Sequence, residues 1–80
     1  MYMVYVLYSK SSLKYYIGQT DNLENRLFRH NSGLNLSTKF GKPWELIYQI
    51  QFQTRSEAIL LEQKIKKRGA KRYLLDINYF

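Results

Sequence analysis

Glu62 occupies a position that an apolar residue would ordinarily fill. The segment Ser56 to Arg68, SEAILLEQKIKKR, has the periodicity of an amphipathic helix. At about 100° per residue, Ala58, Leu61 and Ile65 form one apolar stripe, and Glu62 projects into it between Ala58 and Ile65. An ionised carboxylate on a core-facing surface is costly unless it is paired or binds a metal. Two readings follow. Glu62 is either an edge glutamate that reaches solvent or a nearby lysine, or a carboxylate kept among apolar neighbours for chemistry.

Four upstream side chains could share a site with it. Tyr5 lies in a first strand-like run and Tyr16 in a second. Arg26 and His30 are spaced i, i+4 on a predicted helix, at about −60° and −20° from Leu23, so they flank its sheet-facing stripe. Each has an ordinary explanation taken alone. Arg26 could snorkel, His30 could complement the helix dipole in a last turn, and tyrosines pack well in strands. With Glu62 they make a coherent set. Other chemistries are missing. There is no cysteine, so neither a disulfide framework nor a thiolate zinc site is possible. With His30 the only histidine, a His-rich metal site and a two-histidine ribonuclease mechanism are excluded. No glycine-rich phosphate loop, GxGxxG run or nucleophile elbow appears.

The elements that must position these residues are legible as patterns. Met3 to Tyr8 (MVYVLY) reads as a strand, Ser9 to Lys14 as a hairpin loop, and Tyr15 to Gln19 as the returning strand. Asp21 offers an N-cap with Glu24 three residues on, and Gly33 stops the helix that follows. Leu34 to Lys42 is a polar, basic loop. Trp44 to Phe52 alternates, with Trp44, Leu46, Tyr48, Ile50 and Phe52 predicted on one face and Ile47 out of phase. Thr54 with Glu57 forms a second capping box for the Glu62 helix, Gly69 breaks that helix, and Ala70 to Ile77 forms a last one. This order predicts an α+β fold, a three-stranded antiparallel sheet flanked by three helices, as a single domain over residues 1–80.

Thirteen Lys and Arg stand against six Asp and Glu, and six of the nine residues from Lys64 to Arg72 are basic. Such an excess favours a polyanionic partner. No stretch approaches the ~20 apolar residues of a membrane span. The start lacks a signal peptide's basic region and cleavage site. A cytoplasmic protein with no membrane association is expected.

On these residues the chain resembles the GIY-YIG nuclease superfamily, specifically its small stand-alone bacterial members. The second half of the signature is literal, Tyr16-Ile17-Gly18, whereas the first is degenerate, Val4-Tyr5-Val6. Tyr-x₁₀-Tyr-Ile-Gly is followed by x₇-Arg26-x₃-His30 and then by Glu62, 36 residues after the arginine. NLENRLFRHNSG resembles the arginine-bearing helix and SEAILLEQKIKK the helix with the metal-binding glutamate. Asn78 is the only asparagine after that helix, and the resemblance leaves it unassigned.

The resemblance implies a site around one divalent metal, Mg²⁺ or Mn²⁺, held by Glu62. Arg26 would neutralise the scissile phosphate. Tyr5 or Tyr16 would position or deprotonate the water, with Tyr5 favoured as base. His30 would orient the phosphate or a tyrosine hydroxyl. Lys39, Lys42, Lys64, Lys66, Lys67, Arg68, Lys71 and Arg72 would hold the nucleic-acid backbone without reading sequence. The expected function is hydrolysis of DNA phosphodiester bonds with low intrinsic specificity, with RNA left open as a partner. With no further domain, other proteins would supply targeting. The competing expectation is a noncatalytic nucleic-acid-binding module of the same fold.

Overall fold

The computed structural model describes residues 1–33 and 38–79. The chain runs β1 (Tyr2–Ser9), β2 (Lys14–Thr20), α1 (Leu23–Ser32), a 3-10 turn (Lys39–Gly41), β3 (Trp44–Phe52), α2 (Arg55–Arg68) and α3 (Ala70–Asp76). The strands form one antiparallel three-stranded sheet in the order β2-β1-β3. The α+β architecture predicted from the sequence is therefore the observed one.

β1 is central and covered on both faces, which explains why its run is apolar nearly throughout. Val4 and Val6 join the cluster of Ala58 and Ile65 from α2 and Ala70 and Leu74 from α3. Tyr5 and Leu7 point the other way and join Trp44, with Leu23 and Leu27 of α1 packed against them. The sheet thus separates α1, bearing Arg26 and His30, from α2, bearing Glu62.

The third strand departs from the simple alternation. A register shift between Val6 and Leu7 sets Val6 opposite Tyr48 and Leu7 opposite Leu46, so Ile47 is the extra residue of a bulge. Before it, Trp44 and Leu46 face the Tyr5 side; after it, Tyr48 and Phe52 pack on the Val4 side together with Ile47. One inserted residue reverses which face each later side chain meets. Ile47, the single apolar residue out of phase, is its mark in the sequence.

Helix ends follow local chemistry. The N-cap of α1 is Asn22 rather than Asp21. Its side-chain oxygen accepts from the Asn25 N–H at 3.0 Å, while the Thr20 hydroxyl accepts from the Asn22 N–H at 3.1 Å. That clamp fixes Asn22 as the last residue before the helix and leaves Asp21 outside it. Thr54 caps α2 as predicted, accepting from the Glu57 N–H at 3.3 Å and donating to its carboxylate at 2.8 Å. Gly33 (φ 81°) and Gly69 (φ 95°) end α1 and α2 in backbone conformations that suit glycine. Asn78, at φ 56°, closes α3 by donating its backbone N–H to the Leu75 carbonyl.

The two candidate caps make separable predictions. Asn22→Ala is expected to lower unfolding free energy by about 1 kcal/mol, and Asp21→Ala to leave it nearly unchanged. Urea denaturation of both variants checks this.

Candidate active site

Tyr5 is 1% exposed although it carries a hydroxyl. It pairs across the ladder with Gly18 of β2, and its ring lies over that glycine. A Cβ at position 18 would sit 2.5 Å from the Tyr5 hydroxyl oxygen and 2.7 Å from Cζ. No side chain fits there, so the glycine of Tyr16-Ile17-Gly18 is a steric requirement of the tyrosine on the neighbouring strand.

The Tyr5 hydroxyl lies 3.0 Å from His30 Nε2, and His30 Nδ1 lies 2.9 Å from the Thr38 hydroxyl. His30 is fully buried, so it is not the exposed cation of a last helical turn. Burial holds its pKa below the ordinary histidine value, and the charges of Arg26 and Arg29 add to the effect. Thr38 is held in turn, because the Trp44 indole N–H donates to its carbonyl at 2.8 Å. Asn31 grips Trp44 itself: its amide donates to the Trp44 carbonyl at 3.2 Å and its amide oxygen accepts from the Trp44 N–H. A polar chain therefore runs from β1 through α1 to the turn before β3.

Tyr16 borders this chain. Its ring centroid is 4.7 Å from that of His30 and 6.3 Å from those of Tyr5 and Trp44. Arg26 sits one helical turn before His30 and is half-buried. Among the described residues no hydrogen bond or ion pair engages its guanidinium. Burial pushes the Tyr5 hydroxyl well above the usual tyrosine range. Tyr16 and Glu62 push it further, and only Arg26 opposes them. The structure brings Tyr5, Tyr16, His30 and Arg26 together on the α1 face, whereas α2 packs on the other face of the sheet and the Glu62 carboxylate reaches Tyr5 only as the smallest of these influences.

Glu62 is 17% exposed at its side chain and pairs with Lys66, one turn on, at 3.1 Å. The lysine partner foreseen by the ordinary reading is present. Lys66 is itself more than half exposed, so the pair does not isolate the carboxylate from water. Among the described residues no group of three or more His, Cys, Asp or Glu comes together. Both nitrogens of His30 are engaged. Among the described residues the donor left is one hard carboxylate, which fits a hydrated hard cation that keeps most of its waters and does not fit a soft metal.

The predicted backbone-binding residues divide. Lys64, Lys67 and Arg68 line a cavity with Tyr73, Asp76 and Ile77 between α2 and α3. Arg68 forms a bidentate pair with Asp76 at 2.8 and 3.1 Å. Lys66, Lys67 and Arg68 also occupy the last turn of α2, where cations suit the helix dipole. Lys71 and Arg72 are exposed on α3. The ammonium of Lys42 lies over Gly33 at the C-terminal end of α1. The side chain of Lys39 lies outside the described residues. Thr38, Asn31 and Trp44 went unnoticed in the sequence as supports of the site, since their partners are remote in the chain.

A buried neutral histidine makes stability depend on pH. The folded pKa of His30 is depressed, so the unfolded chain binds the proton more readily. The contribution is complete above the unfolded value of about 6.5 and is lost as pH falls through the lower folded value. Urea midpoints should therefore fall on acidification through this window, and His30→Gln should flatten that decline.

Three comparisons bear on the family. The model of the GIY-YIG catalytic domain matches residues 1–74. The chain is 40% identical over 52 residues to UPF0213 protein SSP2268 of Staphylococcus saprophyticus, covering 64% of this chain and 63% of that one. It is 39% identical over 64 residues to UPF0213 protein SH2523 of Staphylococcus haemolyticus, covering 79% and 77%. Its structure is similar to the solution structure of UPF0213 protein BH0048 from Bacillus halodurans, with TM-score 0.58 and 28% identity, over 96% of this chain and 85% of that one. Tyr5 over Gly18, the Arg26–His30 helix and the Glu62 helix all fall within the matched span, and the chain belongs to the GIY-YIG catalytic domain family, a family of nucleases that are generally metal dependent.

Proposed function

We propose that this protein is a metal-dependent endonuclease that hydrolyses DNA phosphodiester bonds with low intrinsic sequence specificity, acting in the bacterial cytoplasm. The observation that carries the reading is the buried Tyr5–His30 hydrogen bond with Arg26 beside it.

The chemistry follows from the protonation states. Burial keeps the proton on Tyr5, so this hydroxyl is a poor base by itself. A neutral His30 accepts at Nε2 when its Nδ1–H donates to Thr38. Tyr5 therefore takes a proton from the attacking water as it passes its own to His30. Tyr16, beside both rings, orients that water. Arg26 meets the scissile phosphate and neutralises charge as it develops on the non-bridging oxygens. Glu62 would hold Mg²⁺ or Mn²⁺, which when bound supplies Lewis acidity at the leaving oxygen. The exposed cations of α2 and α3, with Lys42 and Lys39, hold the backbone through charge.

One observation favours the alternative of a noncatalytic binding module: Glu62 already has a partner in Lys66. A single variant separates the two. Glu62→Gln is expected to abolish metal-dependent cleavage and to leave DNA binding nearly intact. Because Lys66 returns to water when the pair is broken, stability should change by no more than about 0.5 kcal/mol. Cleavage gels with Mg²⁺, with Mn²⁺ and with chelator, beside a melting curve, decide it. Unchanged cleavage with a lowered melting temperature would return Glu62 to a structural role.

Binding to DNA should weaken steeply with salt, as counterions released from phosphates drive it. Charge reversal at Lys64, Lys67 and Lys71 should reduce the slope of log K against log salt by about 0.9 for each phosphate that the protein no longer neutralises. Titrations by fluorescence anisotropy at several salt concentrations test this, and an affinity insensitive to salt would contradict it.

A further inference from the structure

The turn before β3 is anchored from within, yet it carries an aromatic ring into solvent. Thr38 and Gly41 are buried, whereas Phe40 between them is 86% exposed. Three contacts fix the turn: the Trp44 indole N–H on the Thr38 carbonyl, the Gly41 N–H on the same carbonyl at 3.2 Å, and the close packing of Gly41 on the Trp44 ring. A single exposed apolar residue is ordinary on a protein surface. Here it stands over a cavity of about 230 Å³ that it lines together with Tyr16, Trp44 and Lys14. Tyr16 belongs to both this cavity and the Tyr5–His30 cluster.

We infer that this cleft holds one unpaired nucleobase of the DNA substrate, stacked on Phe40 and lodged beside Tyr16. The inference rests on the nuclease reading above and deepens it, because it makes single-stranded or extrahelical DNA the preferred substrate. An aromatic face accepts any base, and the anchoring of Thr38 and Gly41 on either side spares the entropy of ordering the turn's backbone on binding. Lys14 in the wall supplies the charge for the adjoining phosphate. A fully paired duplex keeps its bases stacked in the helix and offers none to the cleft. The common wall of Tyr16 sets the held nucleotide next to the Tyr5–His30 cluster.

The test uses binding, so it stays separate from cleavage. The probe is a short DNA duplex with one bulged fluorescent purine analogue that is quenched when stacked; a fully paired duplex and a single strand carrying the same analogue serve as comparisons. The protein is the full chain bearing Glu62→Gln, with and without Phe40→Ala. Binding is expected to quench the bulged and single-stranded probes. Phe40→Ala should remove the quench and weaken both by about 5- to 100-fold, leave the paired duplex unchanged, and be rescued by Phe40→Trp. Equal affinity for all three probes, or equal losses on all three, would overturn the inference. Cleavage by the unmutated chain without any quench would overturn it and leave the nuclease reading standing. Quenching without cleavage by the unmutated chain would support the cleft and sink the nuclease reading.

Discussion

A phenol ring on the central strand must cross its neighbour to reach α1, and it can do so only over a residue without a side chain. That is the constraint on which this site is built. Tyr5 lies over Gly18, and a Cβ there would fall well inside van der Waals range of the ring and its hydroxyl. Given that passage, the hydroxyl arrives at His30, His30 is oriented by Thr38, and Thr38 is held by Trp44. Each member is buried and hydrogen-bonded, so displacing one would strand a polar group away from water. The pairing register of β1 and β2 is thus set by this passage as well as by the hairpin.

The electrostatics of the same few residues run in one direction. Burial, Tyr16 and Glu62 all oppose ionisation of Tyr5, and Arg26 alone favours it. Burial, Arg26 and Arg29 all oppose protonation of His30. The resting protein therefore keeps a neutral hydroxyl against a neutral imidazole, a donor and an acceptor with no net charge between them. Burial is the largest of the influences on Tyr5 and Glu62 the smallest, so the tyrosine is held protonated mainly by its place in the core.

Much of this was legible in the sequence. The strands and helices were visible as periods of two and 3.6, and capping chemistry placed the helix ends to within a residue. Glu62 stood out because a carboxylate broke an apolar stripe. The misses share a cause. The Asn22 cap depends on a clamp from Thr20, and the split of β3 depends on a bulge opposite Val6 and Leu7. The anchoring of Thr38 by Trp44 joins residues whose relation is set only by the fold. Period and propensity report what one segment prefers; they carry no information about which distant backbone group completes a hydrogen bond. Gly18 shows the boundary clearly. Its place in a motif is plain from the sequence, but its reason lies on another strand.

The basic segment shows how charge divides once it is folded. Lys66 lies beside Glu62, Arg68 is held by Asp76, and Lys67 and Arg68 sit where the α2 dipole suits them. Part of what reads as a polyanion-binding run therefore serves the helix that carries it. Ion pairs at these exposures are weak and screened by salt, so they do not withdraw the cations from a stronger field. A phosphate backbone would draw Arg68 and Lys66 away from single carboxylates at little expense in stability. Releasing Lys66 would also free the Glu62 carboxylate, so in the nuclease proposed above substrate charge and the cation site would be linked through one side chain. In that proposal the Glu62–Lys66 pair is the resting state of the site, and the exposure of Lys66 makes it exchangeable.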